Sequence, residues 1–87
     1  MAQVFIPTAL RSLTAGEPVV QVAAATVRGV IAELESRFPG IAERLVQDDA
    51  IVPGLAVAID GQFTPRGLLE TVEPRSEVHF LPAIGGG

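Results

Sequence analysis

Between Val27 and Phe38 the chain carries an apolar stripe at helical spacing. Val27, Val30, Ile31, Leu34 and Phe38 share one side, while Arg28, Glu33, Glu35 and Arg37 lie off it. On both sides of this stretch the apolar period drops to two, the mark of short strands with one buried face. An amphipathic helix set among such strands buries its stripe by lying across the sheet they form, so the expected class is α+β in two layers.

The boundaries follow from particular residues. Thr26 can cap the helix with its hydroxyl, and Pro39-Gly40 ends it. Gly29 inside the helix costs about 1 kcal/mol against alanine, which predicts close packing against the sheet. Before the helix, Gln3–Ile6 alternates and meets Pro7, Thr14-Ala15-Gly16-Glu17 reads as a turn, and Val19, Val20 and Val22 make a second β-rich run near enough for a hairpin. After it, Ile41–Leu45 can form a short helical turn and Asp48–Gly54 reads as a loop. Leu55–Ile59 is a strand, and Asp60-Gly61 turns the chain into a short strand at Gln62 and Phe63. Arg66–Val72 is a short helical or irregular connection. Glu77–Leu81 is the last strand, stopped by Pro82.

The order is β-β-α-β-β with a final strand: a mixed sheet of four or five strands with one main helix across it. Residues 1–82 form one domain and residues 83–87 a flexible glycine tail. Alternate strand residues share a face, so Val4, Ile6, Val57, Ile59, Val78 and Phe80 should meet the stripe of Val27, Ile31 and Leu34. By the same rule Phe5, Ala58, His79 and Leu81 should point outward.

Composition narrows the function. A chain of 87 residues buries only about 60% of its unfolded surface, and with no cysteine it must be held by packing alone. That suits a reducing compartment, and no stretch reads as a signal peptide or membrane span, so the expected location is the cytoplasm. Ten acidic residues face six basic ones, all arginine, with no basic stripe, which argues against nucleic acid. The absence of lysine is read as genome composition in preference to a functional reading.

Catalytic groups are sparse. His79 stands alone in the last strand, with no cysteine or second histidine to share a metal. Asp48 and Asp49 are adjacent loop carboxylates, a type that is usually solvated. No glycine-rich phosphate loop follows a strand, and no bound metal or cofactor is expected. The informative feature is the end. Gly85, Gly86 and Gly87 directly follow the last strand and the Pro82-Ala83-Ile84 stalk. Six residues from Pro82 reach about 20 Å when extended, so a folded body could dock on one surface while its last carbonyl enters a narrow channel.

The β-β-α-β-β order together with Leu81-Pro82-Ala83-Ile84-Gly85-Gly86-Gly87 resembles the MoaD/ThiS sulfur carriers, relatives of ubiquitin with the β-grasp fold. The resemblance covers the whole chain. Val4-Phe5-Ile6-Pro7-Thr8-Ala9-Leu10-Arg11 and Phe80-Leu81-Pro82-Ala83-Ile84 look most like carriers of the CysO type. The resemblance implies that the Gly87 carboxylate is adenylated by an E1-like enzyme using ATP and converted to a thiocarboxylate. A sulfur-accepting biosynthetic enzyme, with cysteine synthesis favoured, would then use it. The carrier would be a co-substrate rather than an enzyme. Pro82-Ala83 stands where many molybdopterin-synthase small subunits have Pro-Pro, which weakens that alternative. A third possibility within the family is tRNA thiolation or covalent attachment to protein lysines, and a rival from another class is a ubiquitin-like interaction module without tail chemistry. In β-grasp proteins the first and last strands are neighbours at the sheet centre. Phe5, Ala58, His79 and Leu81 would therefore share the open face and, with Pro82 and Ile84, contact the partner, acidic residues around them steering its approach.

Overall fold

The computed structural model describes residues 1–82. The expected tail therefore lies outside the described residues. Strand β1 (Ala2–Phe5) is followed by a 3₁₀ helix (Thr8–Thr14), strand β2 (Val19–Val22) and helix α1 (Val27–Arg37). Then come the short helix α2 (Ala42–Leu45) and strands β3 (Val46–Gln47), β4 (Ala50–Ile51), β5 (Leu55–Ile59) and β6 (Gln62–Phe63). A second 3₁₀ turn (Gly67–Leu69) leads to the last strand, β7 (Glu77–Pro82). The main sheet has the order β2-β1-β7-β5-β6. β1 and β7 run parallel at its centre, and the other neighbours are antiparallel. This is the ubiquitin-like β-grasp arrangement, with α1 packed across one face.

The helix forms as its residues dictate. Thr26 is extended (φ −141°, ψ 163°), and its hydroxyl accepts a hydrogen bond from the Gly29 amide at 3.1 Å. Val27, Val30, Ile31 and Leu34 are buried and join Val4, Ile6, Val57, Val78 and Phe80 in one core. Ile59 faces the same side but is only half-buried. Gly29 has a different reason from the one expected. A Cβ there would lie 3.2 Å from the Ala24 Cβ, so the glycine accommodates the chain that enters the helix rather than the sheet.

Beyond α1 the chain reverses at Gly40, whose φ of +103° favours glycine. Glu35 holds this reversal. Its carboxylate accepts hydrogen bonds from the Ala42 amide at 2.8 Å and the Gly40 amide at 3.0 Å. These bonds, that from Ala42 foremost, hold the Glu35 pKa below the ordinary glutamate value. A depressed acid contributes stability that is present above its unfolded pKa and lost as pH falls through its folded one. Glu35→Gln is therefore expected to be less stable than wild type at neutral pH, with the difference shrinking below the ordinary glutamate range. Urea unfolding at neutral and acidic pH reads it, and a pH-independent difference would remove Glu35 from this role.

Two connections depart from the sequence reading. The segment from Asp48, expected as loop, begins in the turn of a separate hairpin of β3 and β4. Asp48 and Asp49 occupy the turn with φ of 53° and 60°, the left-handed pair that a two-residue hairpin loop requires. Asp49 accepts a hydrogen bond from Arg28 Nη1 at 2.7 Å, so these carboxylates hold a turn and an exposed ion pair. The path from β1 to β2, expected to turn at Thr14–Glu17, also contains the 3₁₀ helix. Thr14 is buried at its end and donates its hydroxyl to the Glu17 carbonyl at 2.8 Å. The Asp60-Gly61 turn forms as expected (φ 51° and 86°), and Asp60 Oδ1 accepts a 2.8 Å hydrogen bond from the Glu77 amide, fixing the start of β7.

Candidate functional site

The face of the sheet opposite α1 is crossed by a row with one residue from each strand. Strand register pairs Val19 with Phe5, Phe5 with His79, His79 with Ala58, and Ala58 with Phe63. Ala56 and Leu81 pair one step nearer the end of β7. The parallel pairing of β1 and β7 thus places Phe5, His79 and Leu81 together, as the period-two rule anticipates.

Their exposure is uneven. Phe5 and His79 are half-buried because their rings stack on each other, with centroids 4.1 Å apart and planes 7° from parallel. His79 Nε2 lies 3.6 Å from Glu77 Oε1, on the side away from the end of β7. Leu81 is 37% exposed. Ala58 corrects the sequence expectation: it points to the open face but is only 4% exposed, because it sits between His79 and Phe63 on the flanking strands. It forms the floor of the face and offers little contact area. Phe63, not anticipated as a contact, is 66% exposed on the outermost strand. The alternation from Ala58 through the Asp60-Gly61 turn was the signal that could have found it.

Where β7 ends, the face deepens into a groove of about 390 Å³ lined by Phe5, Pro7, Arg11, His79, Leu81 and Pro82. Arg11 comes from the 3₁₀ helix, and its Nε donates to the Ile6 carbonyl at 3.1 Å, which fixes the stem of the side chain beside the strand end. Arg11 thus places a cation in the groove, while the acidic Glu77 lies beside His79 on the same face. Ile84, Gly85, Gly86 and Gly87 lie outside the described residues. Among the described residues no cluster of three or more histidine, cysteine or acidic side chains could hold a metal ion, and no helix is long and apolar enough to cross a membrane.

This architecture defines a ubiquitin-like β-grasp protein with an apolar sheet face that leads to the end of its last strand. The ThiS family matches residues 4–87, and the chain belongs to that family. The sulfur carrier protein CysO of Mycobacterium tuberculosis is 34% identical over 91 residues, spanning 97% of this chain and 96% of that protein. Among solved structures, a chain of the Amycolatopsis orientalis BexX/CysO complex superposes with a TM-score of 0.91 at 35% identity, covering 100% of both chains. The crystal structure of Mycobacterium tuberculosis CysO superposes with a TM-score of 0.88 at 28% identity, covering 97% of this chain and 100% of the other.

Proposed function

We propose that the protein is a sulfur carrier whose Gly87 carboxylate is adenylated by an E1-like enzyme and exchanged for a thiocarboxylate. The observation that carries this reading is the similarity to CysO carriers over nearly the whole chain, in a family match that runs through the glycine tail to residue 87. The chemistry needs an activating partner. A free α-carboxyl has a pKa near 3.5, so at neutral pH it is an anion and a poor electrophile. Coupling to AMP supplies a leaving group: the oxygen–phosphate group departs as sulfur bonds to the carbonyl carbon. The carrier contributes an accessible carboxylate and a docking surface, and the ATP belongs to the partner. Cysteine synthesis is the favoured destination because the relatives are CysO proteins. Incubation with ATP, a cognate activating enzyme and a sulfide source should replace one carboxylate oxygen by sulfur, read by intact mass. An unchanged mass with an enzyme active on its own carrier would refute the reading.

The groove and the open face are the proposed docking surface, with Phe5, His79, Leu81 and Pro82 at its centre and Ile84 on the stalk beyond. A partner gripping Leu81 beside Pro82 would aim the tail into its own active site. The BexX/CysO complex supports docking by a chain of this fold. A carboxylate in this face would be desolvated without a partner. Phe5→Asp and Leu81→Asp are expected to raise the activating enzyme's apparent KM about tenfold or more, a cost of at least ~1.4 kcal/mol. Circular dichroism should show both variants folded, and unchanged kinetics in both would move docking elsewhere.

A further inference from the structure

We infer that the free edge of β2 is a self-association surface, at which two copies of this chain pair antiparallel about Gln21 and join their sheets into one. The main sheet has two edges, β2 and β6. The β6 edge is only Gln62–Phe63, and Pro65 follows closely behind it, so it offers little to pair with. The β2 edge, Val19–Val22, is different. Its one sheet partner among the described residues is β1. No side chain from Pro18 to Ala25 is charged, and no proline interrupts the strand itself. Sheet edges are normally guarded by such groups.

The register fixes where each backbone group points. The Ile6 amide donates to the Pro18 carbonyl at 2.8 Å, and bonded and non-bonded pairs alternate along an antiparallel ladder. Val20 with Val4, and Val22 with Ala2, are therefore the pairs that exchange hydrogen bonds with β1. The N–H and C=O groups of Val19 and Gln21 point the other way, out of the edge, and the alternation puts Ala23 next in the series. None of these groups has a partner among the described residues. Gln21 and Ala23 are exposed and Val19 is half-buried.

The occupant that fits this edge is a second copy. An antiparallel strand that sets Gln21 against Gln21 also sets Val19 against Ala23 and Ala23 against Val19. Each of these pairs exchanges two hydrogen bonds, about six in all. The side chains agree with that register. Directly opposed residues point to the same side, so Val20 and Val22 of both copies stay on the helix side, with Val19, Gln21 and Ala23 on the open face. The two Gln21 amides then lie opposite each other, where each can donate to the other. Charge favours the same arrangement. Each chain carries a net charge of −4, which opposes contact between copies, and an uncharged edge is where two such chains can meet. A two-fold axis at Gln21 closes the pair, and β6 is too short to extend the sheet further. The contact lies in the plane of the sheets, so the groove and open face stay uncovered in both copies.

The association does not depend on the chemistry of the chain end, so its test is separate from that of the proposed function. An edge contact buries less than the roughly 1,200 Å² of a standard interface, so the dimer should be weak, with a dissociation constant on the order of 100 μM. Sedimentation equilibrium of the full chain from about 10 μM to about 1 mM should follow it. Amide hydrogen exchange read by NMR should show Val19, Gln21 and Ala23 gaining protection as concentration rises. Val20 and Val22, already bonded to β1, should not change. Gln21→Lys and Gln21→Glu each set like charges against each other across the axis and should weaken association about fivefold. An equimolar mixture of the two should recover it, because only there do opposite charges face. Gln21 is exposed, so circular dichroism should show both variants folded. A monomer throughout the range, or a dimer that neither variant weakens, would overturn the inference. So would protection of the three amides that appears only on adding the activating enzyme, which would make the edge a seat for a partner's strand.

Discussion

Deleting Gly87 is expected to abolish thiocarboxylate formation while leaving the fold intact. The deletion moves the carboxylate back by one residue, about 3.5 Å along an extended chain. Misplacing a reacting group by about 1 Å can already cost 10²-fold, so a shift of this size should take adenylation below detection. The body should not respond, because the core formed by the described residues runs from Ala2 on β1 to Phe80 on β7. Gly86→Arg tests the same idea by bulk: the number of residues before the carboxylate is unchanged, but a long side chain would have to pass the narrow channel proposed for the glycine tail. Both variants should melt as wild type does and show no mass change after ATP, activating enzyme and sulfide. Normal conversion of the Gly87 deletion would place the chemistry elsewhere.

Leu34→Ala is expected to destabilise the domain severely. Leu34 is fully buried on α1, within the cluster shared with the inner sheet face. Truncation removes transfer free energy and leaves a cavity, together about 2–5 kcal/mol. A domain with about 5–15 kcal/mol in total loses a large share of its stability. No disulfide compensates. At roughly 4–8 °C per kcal/mol for a domain of this size, the melting temperature should fall by about 10 °C or more. An unchanged melting temperature would contradict the packing of α1 on the sheet.

Much of this fold was legible because its signals are local. The stripe from Val27 to Leu34, the Thr26 cap and the Asp60-Gly61 turn each depend on residues a few positions apart, and all formed as read. The alternation in Glu77–Leu81 correctly separated Val78 and Phe80 from His79 and Leu81. What failed was of another kind. The β3–β4 hairpin has too few residues to show a period, and the 3₁₀ helix after Pro7 turns only Leu10, Leu13 and Thr14 toward the core, a pattern too short to tell helix from turn. Gly29 was correctly marked as a close approach, but its neighbour is Ala24, which no pattern identifies.

The candidate site divides along the same line. The amino-acid order by itself determined which residues face outward, where the helix and main strands lie, and that a glycine run follows the last strand. Those properties arise from the pleat, the helical period and backbone chemistry, which act over short distances. Tertiary structure decided that β1 and β7 pair in parallel, and so brought Phe5 onto His79 from opposite ends of the chain. It decided that Ala58 is covered by its flanking strands while Phe63 stands exposed, and that Arg11 lies beside Pro82. These outcomes depend on which surfaces meet when the core closes. Strand pairing between residues this far apart in the chain is chosen by burial of the whole inner face rather than by any local preference.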